Sequence, residues 1–203
     1  KKLRSDIMPL LGTKPKSKDA KLFLIWLDLP DNWQAHLYSG TIPLAAGTIL
    51  ARMDEADRAA VEPLFSAFSW SRSNAVNILT WLFETAKMTS TTVADAMTKA
   101  DLNTIMNQGL SPKDTIARLT TAAKATRYPE LSSLQNTFSK AATEITAGTR
   151  WRMTQPNNFE TGGAELTIQI KDASQLAKAA EDLEAMASLS PWQELWKLGA
   201  TND

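Results

Sequence analysis

Apolar positions along this chain recur at three- and four-residue intervals within short segments, each closed by an explicit stop. That pattern predicts a series of helices. Residues 3–11 form a first helix ended by Gly12, and Ser17 is placed to cap a second over residues 18–28, stopped at Leu29-Pro30. A third, residues 31–38, closes at Ser39-Gly40, with glycine in the usual C-terminal position. Residues 43–53 and 54–68 continue the series, and Pro63 should bend or split the latter. The clearest helix is 69–88. Its Ala75, Ile78, Leu79, Leu82 and Ala86 make one apolar stripe, and Arg72, Ser73, Asn77, Thr80 and Glu84 lie away from it. Helices over 91–98 and 101–108 follow, then one started by Ser111-Pro112-Lys113-Asp114, and a last one over 130–145.

The period changes after Gly148. Residues 149–155 have strand character, Pro156-Asn157-Asn158 and Gly162-Gly163 mark a loop, and residues 164–171 alternate. There Leu166, Ile168 and Ile170 share one face, as in a half-buried strand. Ser174 should cap a helix with Leu176, Ala179, Ala180, Leu183 and Met186 facing the core, and a short helix over 191–198 should end the series. The expected architecture is a multi-helix bundle over 1–147 and a small β-β-α element over 148–203.

Composition narrows the function classes. The 203 residues are 43% hydrophobic and 22% charged, an ordinary globular balance. There is no cysteine, hence no disulfide and no thiolate nucleophile, which fits a reducing, cytoplasmic setting. The longest apolar run is residues 22–27, far short of the ~20 residues that span a bilayer. His36 is the one histidine, and no phosphate loop, dinucleotide fingerprint, zinc-protease motif or nucleophile elbow occurs. No catalytic site, metal site, cofactor or small-molecule substrate is expected. The chain begins without methionine, as a piece of something longer would.

Charge changes the picture more. Lys+Arg and Asp+Glu both number 22, a formal net charge of zero. Resolved along the chain, residues 1–21 carry net +5, 22–111 net −4, 112–152 net +4 and 153–203 net −5. The basic first block holds Lys14, Lys16, Ser17, Lys18 and Lys21 where a turn passes into a helix. A helix, a glycine-containing turn and a second helix with basic residues at its start follow the helix-turn-helix plan, in which the second helix enters the major groove. A second candidate is Trp70-Ser71-Arg72-Ser73-Asn74, opening the long helix. Arg72 and Asn74 there are of the types that read guanine and adenine. Against these stand plainer readings: a solvated basic end, a serine that only caps, and tryptophans that are core. His36 reads as structural.

One stretch resembles a known family. Leu27-Asp28-Leu29-Pro30, then Gln34 through Leu44, then Ala46 and Leu50-Ala51-Arg52-Met53-Asp54, is similar to the central region of ParB partition proteins, directly after their helix-turn-helix. Ser71-Arg72-Ser73-Asn74-Ala75 also resembles a later helix opening in ParB-like proteins. The likeness covers about residues 14–90. It implies that residues 16–26 match the recognition helix and 31–38 and 43–53 the supporting helices. Ala45-Ala46-Gly47 departs from the family's His-Ala-Arg. The resemblance implies non-catalytic binding of double-stranded DNA by a homodimer, in plasmid or chromosome partition or in regulation. Nucleotide chemistry would then lie in an upstream domain. The acidic, tryptophan-containing C-terminal part would serve self-association. The rival expectation is a helical protein–protein interaction module that does not bind DNA.

Overall fold

A computed structural model describes residues 8, 12–14 and 16–198. The protein is mainly helical, with eleven α-helices and one two-stranded antiparallel sheet among the described residues, the sheet lying near the C-terminal end. Its fold divides into two compact units, 1–127 and 128–203. The division falls one helix earlier than the expected step at 147/148, because helix 129–146 supplies the floor of the second unit's core.

In the first unit, Met8 is buried and helical, and Thr13 N–H donates to its carbonyl past Gly12, which is left-handed at φ +66°. The rest of the expected first helix lies outside the described residues. Ser17 caps α1 (Lys18–Leu27), its hydroxyl accepting from Ala20 N–H. Next comes α2 (Asp31–Ser39), closed by left-handed Gly40. The expected helix over 43–53 shortens to a 3₁₀ turn (Leu44–Ala46) and one α turn, α3 (Gly47–Leu50). The cause is Trp26. Its indole N–H donates to the Leu44 carbonyl at 2.7 Å, and its ring covers Gly47 so closely that a Cβ there would lie 2.4 Å from Nε1.

Asp54 caps α4 (Glu55–Ala67), which Pro63 does not divide. Pro63 and Ala59, whose carbonyl it leaves without its helical donor, are both exposed, so the freed carbonyl is open to solvent and not buried. Ser71 caps α5 (Arg72–Thr89), the central helix, whose Ala75, Ile78, Leu79, Leu82 and Ala86 are all buried. Thr92 and Asp95 form a reciprocal capping box on α6 (Val93–Lys99). The unit finishes with α7 (Leu102–Met106) and α8 (Pro112–Arg127), the latter tied to α5 by an Arg127–Glu84 ion pair at 2.9 Å. Trp33, Phe65 and Trp70 pack in sequence with ring centroids 5.7 and 5.5 Å apart. His36 is a packing residue: Nδ1 meets Thr41 Oγ1 at 3.1 Å and Nε2 lies 3.5 Å from Glu62 Oε1.

The second unit opens with α9 (Pro129–Thr146). Strands β1 (Arg152–Thr154) and β2 (Glu165–Thr167) pair with Met153 opposite Leu166. α10 (Ala173–Ala187) is capped by Asp172, not by Ser174, which falls inside its first turn. Its buried residues are Ala179 and Met186, whereas Leu176 and Leu183 are 57% and 38% exposed. Of the expected core face, Ala179 and Met186 face inward, whereas Leu176, Ala180 and Leu183 are turned out. Three bonds fix that orientation: Trp151 Nε1 to the Ala179 carbonyl, Trp192 Nε1 to the Met186 carbonyl, and Thr149 Oγ1 to Met186 Sδ. The last helix, α11 (Trp192–Leu195), buries Leu195 against α9 and stacks Trp192 on Trp196 at 5.1 Å. No described helix is long and apolar enough to cross a membrane.

Candidate nucleic-acid interface

The two basic constellations of the first unit, far apart in sequence, border one cleft of about 770 Å³. Lys18 and Leu22 of α1 form one wall, and Arg72, Ser73, Val76 and Asn77 of α5 the other. The floor is Ala45, Thr48 and Ile49. The local sequence explains the convergence. Trp26 locks α1 onto the Leu44–Gly47 turn, and α3 packs in turn on α5. The serine caps then start both helices at the cleft's edge. The Trp70 ring, buried and donating to the Leu64 carbonyl at 2.8 Å, holds the approach to α5.

The helix starts add directed dipoles. Each presents first-turn N–H groups that no helical carbonyl satisfies, and the helix dipole favours an anion there. Ser17 and Ser71 each satisfy one such amide. Among the described residues, neither Lys18 nor Arg72 takes part in an ion pair. The arrangement is a basic, donor-rich rim around an apolar floor. Such a rim can hold phosphate oxygens while an arginine side chain reaches a base edge.

The expected site residues are not all brought together. Lys14, Lys16 and Lys21 are exposed on the approach to α1 and along it, and do not line the cleft. Asn74 is half-buried, and its backbone N–H serves the Ser71 cap. Two residues past Arg72, it points about 200° around the helix. Asn77 occupies the cleft wall instead. Helical spacing carried that signal, since Asn77 follows Ser73 by four. Among the described residues, no group of three or more His, Asp or Glu side chains could hold a metal ion.

Compared with known proteins, the chain matches no protein-family model, no curated protein and no solved structure. Its functional reading therefore rests on its own residues.

Proposed function

We propose that this chain is a non-catalytic DNA-binding module of ParB-like type, acting in plasmid or chromosome partition or in regulation. The single observation that carries this is the shared cleft: the capped starts of α1 and α5, with Lys18 and Arg72 in no ion pair among the described residues, border the same opening. Lys14, Lys16 and Lys21 extend the basic surface beside it and would meet phosphate, while Arg72 and Asn77 would reach into the groove. A symmetric site would call for two copies. Exposed Leu176 and Leu183 of α10, and separately Trp196 at 58% exposed, are the apolar side chains that such a homodimer would cover.

The test is binding to duplex DNA at two salt concentrations. Affinity should fall steeply with salt, because neutralised phosphates release counterions. Lys16→Glu with Lys18→Glu should reduce the salt slope by about one for each phosphate no longer neutralised. Arg72→Ala should cost about 1–3 kcal/mol if it reads a base. No binding at low salt, or binding indifferent to these changes, rejects the reading.

The cleft floor favours a second reading. Leu22, Ala45, Ile49 and Val76 make it apolar, as a groove for a partner protein's hydrophobic anchor would be. In that case Ile49→Glu would abolish binding of the partner, and the lysine variants would leave it intact.

A further inference from the structure

The second unit is acidic, yet its cations are gathered. Residues 128–203 hold ten acidic and six basic side chains, and three of the six line one cleft of about 580 Å³. They are Arg150, Arg152 and Lys171. None of the three forms an ion pair with a carboxylate among the described residues, although this unit has carboxylates to offer. Lys178 does take such partners, lying 3.1 Å from Asp182 and 3.6 Å from Glu181.

The cleft is built rather than accidental. Arg150 is held by neutral acceptors: its Nη2 donates to the Gln169 carbonyl at 2.9 Å and to Gln175 Oε1 at 2.8 Å. Gln175 Oε1 also accepts from the Lys171 backbone N–H at 3.2 Å. On its other side, Gln175 takes both oxygens of Asp172, Oδ1 through its backbone N–H at 2.8 Å and Oδ2 through Nε2 at 2.9 Å. Gln175 thus engages the carboxylate adjacent to Lys171 and fixes the arginine without cancelling its charge. The pairing of β2 stops at Thr167 although the alternation continues to Ile170. The Gln169 carbonyl, free of the ladder, becomes the anchor for Arg150. Trp151 and Ile168 supply an apolar wall, and the indole is pinned by its bond to the Ala179 carbonyl.

We propose that this cleft binds a compact multiply charged phosphate group, the di- or triphosphate of a small molecule. Three cations without a carboxylate partner among the described residues, one of them held in place at Arg150, call for an oxyanion of similar charge, and arginine is suited to phosphate oxygens in pairs. Size selects among phosphate sources. A volume near 580 Å³ lies in the usual range for small-molecule sites, about 300–1,000 Å³. The surrounding net negative charge repels an extended polyanion such as a duplex. The site is independent of the cleft in the first unit and of the DNA reading.

Calorimetric titration of the full chain with inorganic tripolyphosphate tests it. Saturable binding is expected, weakened about tenfold or more by Arg152→Glu and by Lys171→Glu, each of which removes one charge-assisted hydrogen bond. Both side chains are exposed, so the fold should survive, and the circular dichroism spectrum of each variant should match that of the parent chain. Lys140→Glu, away from the cleft in the same unit, should leave affinity within twofold, as should Lys16→Glu with Lys18→Glu. A nucleoside triphosphate binding more tightly than tripolyphosphate would assign the apolar wall to a base; equal affinities would assign the site to inorganic polyphosphate. Both outcomes support a phosphate site. Absence of tripolyphosphate binding overturns it. So does an equal weakening with Lys140→Glu, which would mean diffuse attraction, or binding confined to duplex DNA.

Discussion

Leu79 and Leu176 both sit on amphipathic helices, yet Leu79 is fully buried and Leu176 is 57% exposed. The contrast extends to the units that hold them. In residues 1–127 one continuous core runs from Trp26 to Ala123, organised around α5. In residues 128–203 the buried cluster is five residues, Phe138, Ala141, Ile145, Met186 and Leu195, with half-buried aromatics around it. Charge divides the same way. The first unit has 16 basic against 12 acidic side chains, and the second 6 against 10. A large core can hold several helix starts rigidly at a basic cleft. A small one leaves apolar side chains on its surface, available to another surface, and fixes its cationic cleft by side-chain hydrogen bonds.

The largest expected effect breaks the comparison if it fails. Leu79→Ala should destabilise the first unit by about 2–5 kcal/mol, through reduced burial and the cavity left behind. In dilute solution, where two copies do not pair, Leu176→Ala should change stability by no more than about 0.5 kcal/mol, as surface substitutions do. Chemical denaturation measures both, and equal costs there would mean that Leu176 is covered within the single chain. Next comes Gly47→Ala. Its new Cβ would collide with the Trp26 indole, so stability should fall by about 1–3 kcal/mol as the ring shifts. DNA affinity should fall with it, because Trp26 sets α1 against the cleft floor. Unchanged stability would mean that the indole does not lie on Gly47.

Asp57→Ala should have an effect of similar size. Asp57 is buried in α4 and its Oδ1 accepts from Val93 N–H at 3.0 Å, so it holds the start of α6 across 36 residues. Removing it should cost about 1–3 kcal/mol as a buried amide is left unpaired, with early hydrogen exchange at Val93 as the signature. The smallest effect is a titration. The Thr92 hydroxyl and then its backbone N–H donate to exposed Asp95, holding that carboxyl below its ordinary 3.8. A lowered folded value means that the stabilising contribution is present above the ordinary carboxylate range. It disappears as pH falls through the lowered value. Thr92→Val should move the Asp95 titration upward in a carboxyl-resolved NMR series, and no movement would mean that the capping box does not form in solution.

The two units were not equally legible. In the first, local chemistry sets the boundaries. Ser17, Gly40, Ser71 and Pro112 stop or start helices through bonds and dihedrals within a few residues, so their roles follow from spacing, whereas the Thr92 cap lies inside the helix expected over 91–98. Long-range packing decided what spacing could not. The 43–53 segment looked like one helix, and only Trp26, 18 residues before its bonding partner Leu44, shortens it. In the second unit, such packing decides more. Leu176, Ala180 and Leu183 are as regular a stripe as Ala75, Ile78 and Leu82. Which side of α10 faces inward, however, is set by Trp151 and Trp192 bonding to its carbonyls. The candidate site follows the same rule. Lys18 and Arg72 were visible separately as basic helix starts, but their meeting across α3 is a property of the packing.

That meeting is the central claim, and a double-mutant cycle on duplex DNA affinity tests it most directly. Lys18→Ala, Arg72→Ala and the pair would be measured by fluorescence anisotropy at low salt, with stability checked for each. Side chains that grip one DNA segment from opposite walls of a cleft should each weaken binding, with a coupling of about 0.5–3 kcal/mol between them. Strictly additive effects, or a chain that binds no duplex even at low salt, would contradict the claim.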